Sequence, residues 1–215
     1  MRPLWLPLLL VVLAPGIPHA DEALSADGVM RKTDERVRKL RDYECLVDTD
    51  CRLGSKSEAS SFHLWFRNPG MMRAKVLKGR DKGADVVVKD GKIRGPTSGL
   101  LKFVTADLKP TDKRIRNLRG VCITHLQWEN FYETFRERAS RPGAKMTLQS
   151  RPGSPYEVAL TYPEGSHSMR EVFLIDPKEW VLLEGVMWED GAQVSSVHFR
   201  DFRFDIGAEE KFFKL

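Results

Sequence analysis

Apolar and polar positions alternate along most of the chain, and the period of that alternation changes. After Ser25, the residues Ala26, Val29, Met30, Thr33, Val37 and Leu40 keep the three- and four-residue spacing of one helical face, with charged residues filling the gaps. Arg36, Arg38, Lys39 and Arg41 gather at its end, where cations suit the unpaired carbonyls of a helix C-terminus. Period two then takes over. Tyr43, Cys45, Val47, Thr49, Cys51 and Leu53 alternate with Glu44, Asp48, Asp50 and Arg52, which predicts a strand. Residues 54–61 read as a polar hairpin loop. Phe62, Leu64 and Phe66 then alternate with His63, Trp65 and Arg67, so this strand carries aromatics on both faces. Asn68-Pro69-Gly70 interrupts the run, as a bulge or an edge kink would. Extended chain is expected again over 71–78 and 85–89, with Asp90-Gly91 as a tight turn into Lys92, Ile93 and Arg94.

Residues 95–120 show the least regular pattern. A second helix is announced by Thr124 with Gln127 as a capping box and by Ile123 with Trp128 at the hydrophobic-staple positions. Trp128, Phe131, Tyr132, Phe135 and Ala139 form its broad aromatic face, and Pro142-Gly143 ends it. Strands follow over 145–150, 156–161, 169–175, 181–188 and 193–204. In the last of these the apolar register slips from Val197 and Phe199 to Phe202 and Phe204, which one bulged residue explains. Helix, strands, helix, strands joined by hairpins is an α+β pattern: an antiparallel sheet of about nine to eleven strands with helices gathered on one face. A sheet of that size curls. Two helices cannot cover all of its concave face, which leaves an apolar groove or cavity unless side chains fill it.

The N-terminus carries a different signal. Arg2 precedes an apolar run of eleven residues, Leu4 to Ala14, broken by Pro15-Gly16 before Pro18-His19-Ala20. That run is too short to span a bilayer and fits the apolar core of a signal peptide. Residues 1–20 are therefore expected to be a signal peptide cleaved after Ala20, and 21–215 a single domain, periplasmic or secreted and soluble. Export makes the cysteines informative. Cys45 and Cys51 fall in one predicted strand, about 20 Å apart if fully extended, and a disulfide needs less than about 7 Å. They pair only if a turn lies between them or if one meets Cys122; otherwise all three are small buried residues.

Two stretches now carry a resemblance. The run FHLWFRNPGMMRAKVLKG, followed by ADVVVKDGKI, resembles the early core of LolA-like proteins, the periplasmic carriers of outer-membrane lipoproteins. There a hydrophobic strand meets a Pro-containing kink and then a hairpin ending in Asp-Gly-Lys. The closing VFLIDPKEWVLLEGVMWEDGAQVSSVHFRDFRF is similar to that family's last strands. The middle GLLKFVTADLKPTDKRIRNLRGVCITHLQWENFYETF looks more like an uncharacterised group of secreted bacterial proteins of the same fold. The resemblance covers most of the chain beyond residue 20. It implies a half-open β-barrel lidded by helices on its concave face, with an apolar interior that accepts acyl chains. One position departs from the family. In the carriers an Arg precedes the Pro, and its hydrogen bonds help hold the lid closed. Here Asn68 stands there and Arg67 points to the opposite face, so that gating role does not carry over. A general binder of lipid or another hydrophobic ligand fits better than a lipoprotein shuttle.

Catalytic and metal motifs do not emerge: there is no G-x-S-x-G elbow, H-E-x-x-H, C-x-x-C or phosphate loop. The segment from Asp48 to Gly54 starts like a calcium loop but puts Arg52 where an oxygen ligand belongs and Leu53 where Gly is needed. His167, between Ser166 and Ser168, reads as part of a turn. The expectation is a non-catalytic, monomeric protein without cofactor or metal, whose cavity is lined from Leu64, Trp65, Phe66, Met72, Trp128, Phe131, Tyr132 and Phe135. Its expected partner is a lipid or an acylated protein; the alternative is an envelope interaction module without a bound ligand. Lys109, Lys113, Arg114, Arg116 and Arg119 add a second cationic cluster to a chain of net charge +5. For an exported protein that points to an anionic membrane surface rather than to nucleic acid.

Overall fold

Ser25 starts the first helix as its side chain takes the place of a missing intrahelical acceptor: Oγ accepts from the Gly28 amide at 3.0 Å. The helix, α1, spans Ala26–Lys39 and buries Ala26, Val29, Met30, Thr33 and Val37, the face the spacing predicts. The computed structural model describes residues 24–96 and 105–214. The expected signal peptide and the start of the middle segment lie outside the described residues.

The strands are β1 (Asp42–Leu53), β2 (Lys56–Arg67), β3 (Met71–Lys78), β4 (Asp85–Lys89), β5 (Lys92–Pro96), β6 (Thr105–Leu108), β7 (Lys145–Gln149), β8 (Tyr156–Glu164), β9 (His167–Ile175), β10 (Leu182–Glu189) and β11 (Ala192–Phe204). They form one eleven-stranded antiparallel sheet in the order β6-β5-β4-β3-β2-β1-β11-β10-β9-β8-β7, curved and unclosed. Two hairpin meanders, β1 to β6 and β7 to β11, are thus sealed by pairing of the first strand with the last. The second helix, α2 (Trp128–Ala139), comes between the meanders and packs against α1 and β8. The fold is an α+β open half-barrel with two helices on its concave side among the described residues.

Where pattern and turn chemistry agree, the elements match. Asp90 and Gly91 both take positive φ, as a two-residue hairpin turn requires. Leu46 pairs with Arg200 and Glu44 with Arg203, so Asp201 and Phe202 both oppose Cys45: this is the bulge that the slipped apolar register implies. Four local expectations are corrected. Residues 54–61 are not a loop; Gly54 and Ser55 make a tight turn and β2 begins at Lys56. Asn68-Pro69-Gly70 is the turn of the β2–β3 hairpin rather than a bulge. The capping box does not form. Residues Ile123–Leu126 are a 3-10 turn in which Thr124 O already accepts from Gln127 N, so α2 starts later and without a side-chain cap. His167 opens β9 rather than lying in a turn.

The concave side holds most of the core. At one end of the half-barrel Tyr43 stacks between Phe66 and Trp128, with ring centroids 4.6 and 4.7 Å apart, and Phe199 and Phe202 pack on Trp128 from the other side. The convex face has its own cover. The 3-10 turn Glu210–Phe213 lies on β3 and β4, with Arg73 donating to Phe212 O at 2.9 Å and stacking on its ring.

Candidate ligand site

Strand register explains why the other end of the half-barrel is hollow. One inward row across the sheet reads Val76, Phe62, Val47 and Phe199, all apolar and close to the aromatic stack. The next inward row reads Ser60, Thr49, Val197, Gly185 and Phe173. Three of its five positions are Ser, Thr and Gly, which reach little distance above the sheet. The row beyond it reads Glu58, Cys51, Ser195, Met187 and Glu171. Large side chains, then small ones, then polar ones therefore follow each other along the strands. Above the small row lies a cavity of about 630 Å³, within the roughly 300–1,000 Å³ of small-molecule sites. Gly185 matters for that space: a Cβ there would meet Val197 Cγ1 at 3.1 Å.

The roof is α2, which turns Phe131, Thr134 and Arg138 onto the cavity from positions three and four apart. The mouth is bordered by residues 80–84 after β3 and by 114–126 before α2. The latter stretch is tied to the sheet by named bonds. Arg80 Nη2 donates to the carbonyls of Lys113 and Arg116 at 3.0 and 3.1 Å, and the Leu118 amide donates to Glu58 Oε2 at 3.1 Å. Arg114 binds both carboxylate oxygens of Asp112, which holds that acid down at about 2.

One charged group is embedded in the wall. Glu171 is 2% exposed and accepts from both Arg138 Nη1 and Tyr162 Oη. Burial pushes its carboxyl above the ordinary value, against the pull of Arg138 and Tyr162. Burial and the Glu171 charge push the Tyr162 phenol up as well.

No protein-family model matches the chain. No curated protein matches it either. Solved structures do. A LolA superfamily protein from Nitrosomonas europaea superposes with a TM-score of 0.53 at 10% identity, covering 90% of this chain and 99% of that one. The chain has a LolA-like fold. MucB superposes with a TM-score of 0.51 at 14% identity over 88% of this chain and 62% of its own. The Pseudomonas aeruginosa MucA/MucB complex does so with a TM-score of 0.50 at 13% identity, over 88% and 60%.

Within the LolA-like barrel the eight residues expected at the cavity divide by row and by face. Phe131 lines it. Leu64, Phe66, Met72 and Trp128 are buried at the filled end, because they sit two to four residues farther along their strands or one turn earlier on α2. Phe135 is buried edge-on against Phe173, and Tyr132 stacks beside it, near enough to α1 that burial and Asp27 push its phenol up. Trp65 takes the opposite face of β2 from Leu64 and Phe66, and packs on His63 and Phe212 on the convex side. Aromatic content thus marks the filled end of this half-barrel, whereas its hollow end is marked by inward small residues. Thr49, Ser60, Gly185, Glu171 and Arg138 were the legible but unread signal.

Three further positions bear on the expectations. Cys45, Cys51 and Cys122 are all buried free thiols; Cys45 and Cys51 share one strand without a turn, and burial raises both thiols. Asn68 Nδ2 donates to Val37 O at 3.0 Å and also to Leu40 O, so its side chain ties the β2–β3 turn to the last carbonyls of α1. His167 Nδ1 lies 2.6 Å from Asp190 Oδ2 and 3.7 Å from Glu189. Arg119 also pairs with Glu189, so both acids of this surface cluster already have a basic partner.

Proposed function

We propose that the chain is an exported, non-catalytic carrier or binder that holds a lipid, the acyl chain of a modified protein or another hydrophobic ligand in the cavity under α2. The observation that carries this reading is the row of Ser60, Thr49 and Gly185, which keeps space open in a half-barrel whose other end is packed with aromatic rings. Phe62, Val76, Val86, Leu108, Ile115, Phe131 and Val197 supply an apolar lining for a chain. The likeness to MucB, solved together with MucA, supports a second reading: an apolar segment of a partner protein as the occupant.

Export to the periplasm or beyond belongs to the same proposal and rests on residues 1–20. Among the described residues no helix is long and apolar enough to cross a membrane. Attraction to an anionic membrane surface is a weak component of the reading. Arg36 pairs with Glu179, Arg41 with Asp42, Arg114 with Asp112 and Arg119 with Glu189, so much of the two basic clusters is already neutralised.

The test is native mass spectrometry of the protein purified from its own envelope, paired with titration of an apolar naphthylamine dye. A co-purified lipid mass, and dye binding that falls at least about tenfold in Thr49→Phe, is the expected result. A protein that carries no adduct and binds no dye would sink the carrier reading.

A further inference from the structure

The polar pair in the cavity wall constrains the head group of the ligand. Glu171 accepts both of its hydrogen bonds on one oxygen, Oε1. Among the described residues Oε2 has no donor, yet it is not one of the buried polar atoms sealed off without a partner, which are Asp34 Oδ1 and Trp128 Nε1. Glu171 lines the cavity, and Oε2 is its oxygen that neither Arg138 nor Tyr162 engages. Arg138 lines the cavity too and uses only Nη1 on the carboxylate; its Nε and Nη2 have no acceptor among the described residues. An acceptor and donors thus stand side by side at the edge of an apolar space. Their charges already cancel.

The other cations of the lining, Arg80, Lys82, Arg114 and Arg116, belong to the stretches that border the mouth, so a second charge beside this pair would be desolvated against groups that already offset each other, at a cost of several kcal/mol per ion. A carboxylate head would repel Glu171, and an ammonium head would repel Arg138. A group that offers a proton and a lone pair without net charge satisfies both partners. The polarity of the rows agrees with this placement, since Glu171 lies one row outward of Phe173, Gly185 and Val197. A chain directed inward from a head at Glu171 would run over those small and apolar positions and under Phe131. We infer that the cavity selects a single-chain amphiphile with an uncharged amide or hydroxyl head, whose N–H or O–H donates to Glu171 Oε2 and whose oxygen accepts from Arg138. This rests on the carrier reading and names the class of its ligand.

The experiment is displacement of the apolar naphthylamine dye by four ligands of one chain length: dodecanamide, dodecanol, dodecanoate and dodecyltrimethylammonium. On the unaltered chain near neutral pH, the amide and the alcohol should bind about tenfold tighter than the two ionised ligands, the effect of a buried hydrogen-bond pair gained against a charge left unmatched. In Arg138→Met/Glu171→Met, which replaces both partners by apolar side chains, the advantage of the amide over the ionised ligands should fall at least about threefold while dye binding persists. The head-group series on the unaltered chain decides the matter even if the double variant does not fold. Ionised ligands that bind as tightly as the neutral ones would overturn the inference and leave the carrier standing. Failure of the dye and all four ligands to bind would overturn the carrier reading, and the inference with it.

Discussion

A carboxylate stripped of water needs donors in exchange, and Glu171 shows how closely the accounts of a single residue are matched. Arg138 and Tyr162 supply two donors to one oxygen, and burial still leaves the carboxyl raised above its ordinary 4.5. The folded chain therefore holds this proton more tightly than the unfolded chain does. Between 4.5 and the raised folded value the native state binds more protons, so this group's contribution to stability falls as pH rises through that window. Asp48 and Asp112 work in the opposite sense. Their lowered values give a contribution that is present above 3.8 and lost as pH falls through their folded values. Glu171→Gln should remove the first effect and leave the second. Urea denaturation of both proteins from about pH 4 to 7 should show the stability of the unaltered chain declining relative to the variant as pH rises above 4.5. A difference that is flat across the range would mean that Glu171 titrates normally. Arg138→Met alone should cost about 3 kcal/mol near neutrality, and less in acid, where Glu171 takes up a proton instead of standing as an unpaired charge.

At the scale of elements, α2 divides its aromatic face between two duties. Phe135 is 1% exposed and packs edge-on against Phe173, so Phe135→Ala should cost about 3–5 kcal/mol, the usual loss for a buried ring. Phe131 sits four residues earlier and borders the cavity, where part of the space it would vacate already exists. Phe131→Ala should cost visibly less and shift dye affinity, and equal losses of stability in the two variants would contradict that division. Such contrasts mark how far pattern reading reaches. The face of α1, the span of β1 and the bulge in β11 were legible because apolar and polar residues there keep a regular period, helical in α1 and two-residue in the strands, with a single slip in β11. The first half of β2 was not. Its outward residues meet solvent while its inward residues, Glu58 and Ser60, meet the cavity, so Lys56 to Ser61 show no apolar period at all. The same cause hid the cavity. A search for aromatics finds the part of the interior that is full, and an open space is built from the residues that do not reach into it.

For the molecule as a whole, the two meanders share, among the described residues, the β1–β11 pair, the stretch that carries α2 across the concave side and the C-terminal turn Glu210–Phe213 laid on β3 and β4. The filled end, where α1, Tyr43, Phe66 and Trp128 interlock, keeps the half-barrel curved without help from the hollow end. A ligand entering the cavity should therefore add stability rather than be required for folding. If it binds only the native chain, a neutral amphiphile at a hundred times its dissociation constant adds about 2.7 kcal/mol. For a domain of this size that is a rise in Tm of about 5–10 °C. Thermal unfolding followed by circular dichroism, with and without dodecanamide, would measure it. The rise should disappear in Thr49→Phe, whose ring occupies the floor, while the unliganded variant unfolds within a few degrees of the unaltered chain. An interaction module that binds no small ligand would show no rise in either protein. A rise that survives in Thr49→Phe would place the ligand somewhere other than above the row of Ser60, Thr49 and Gly185.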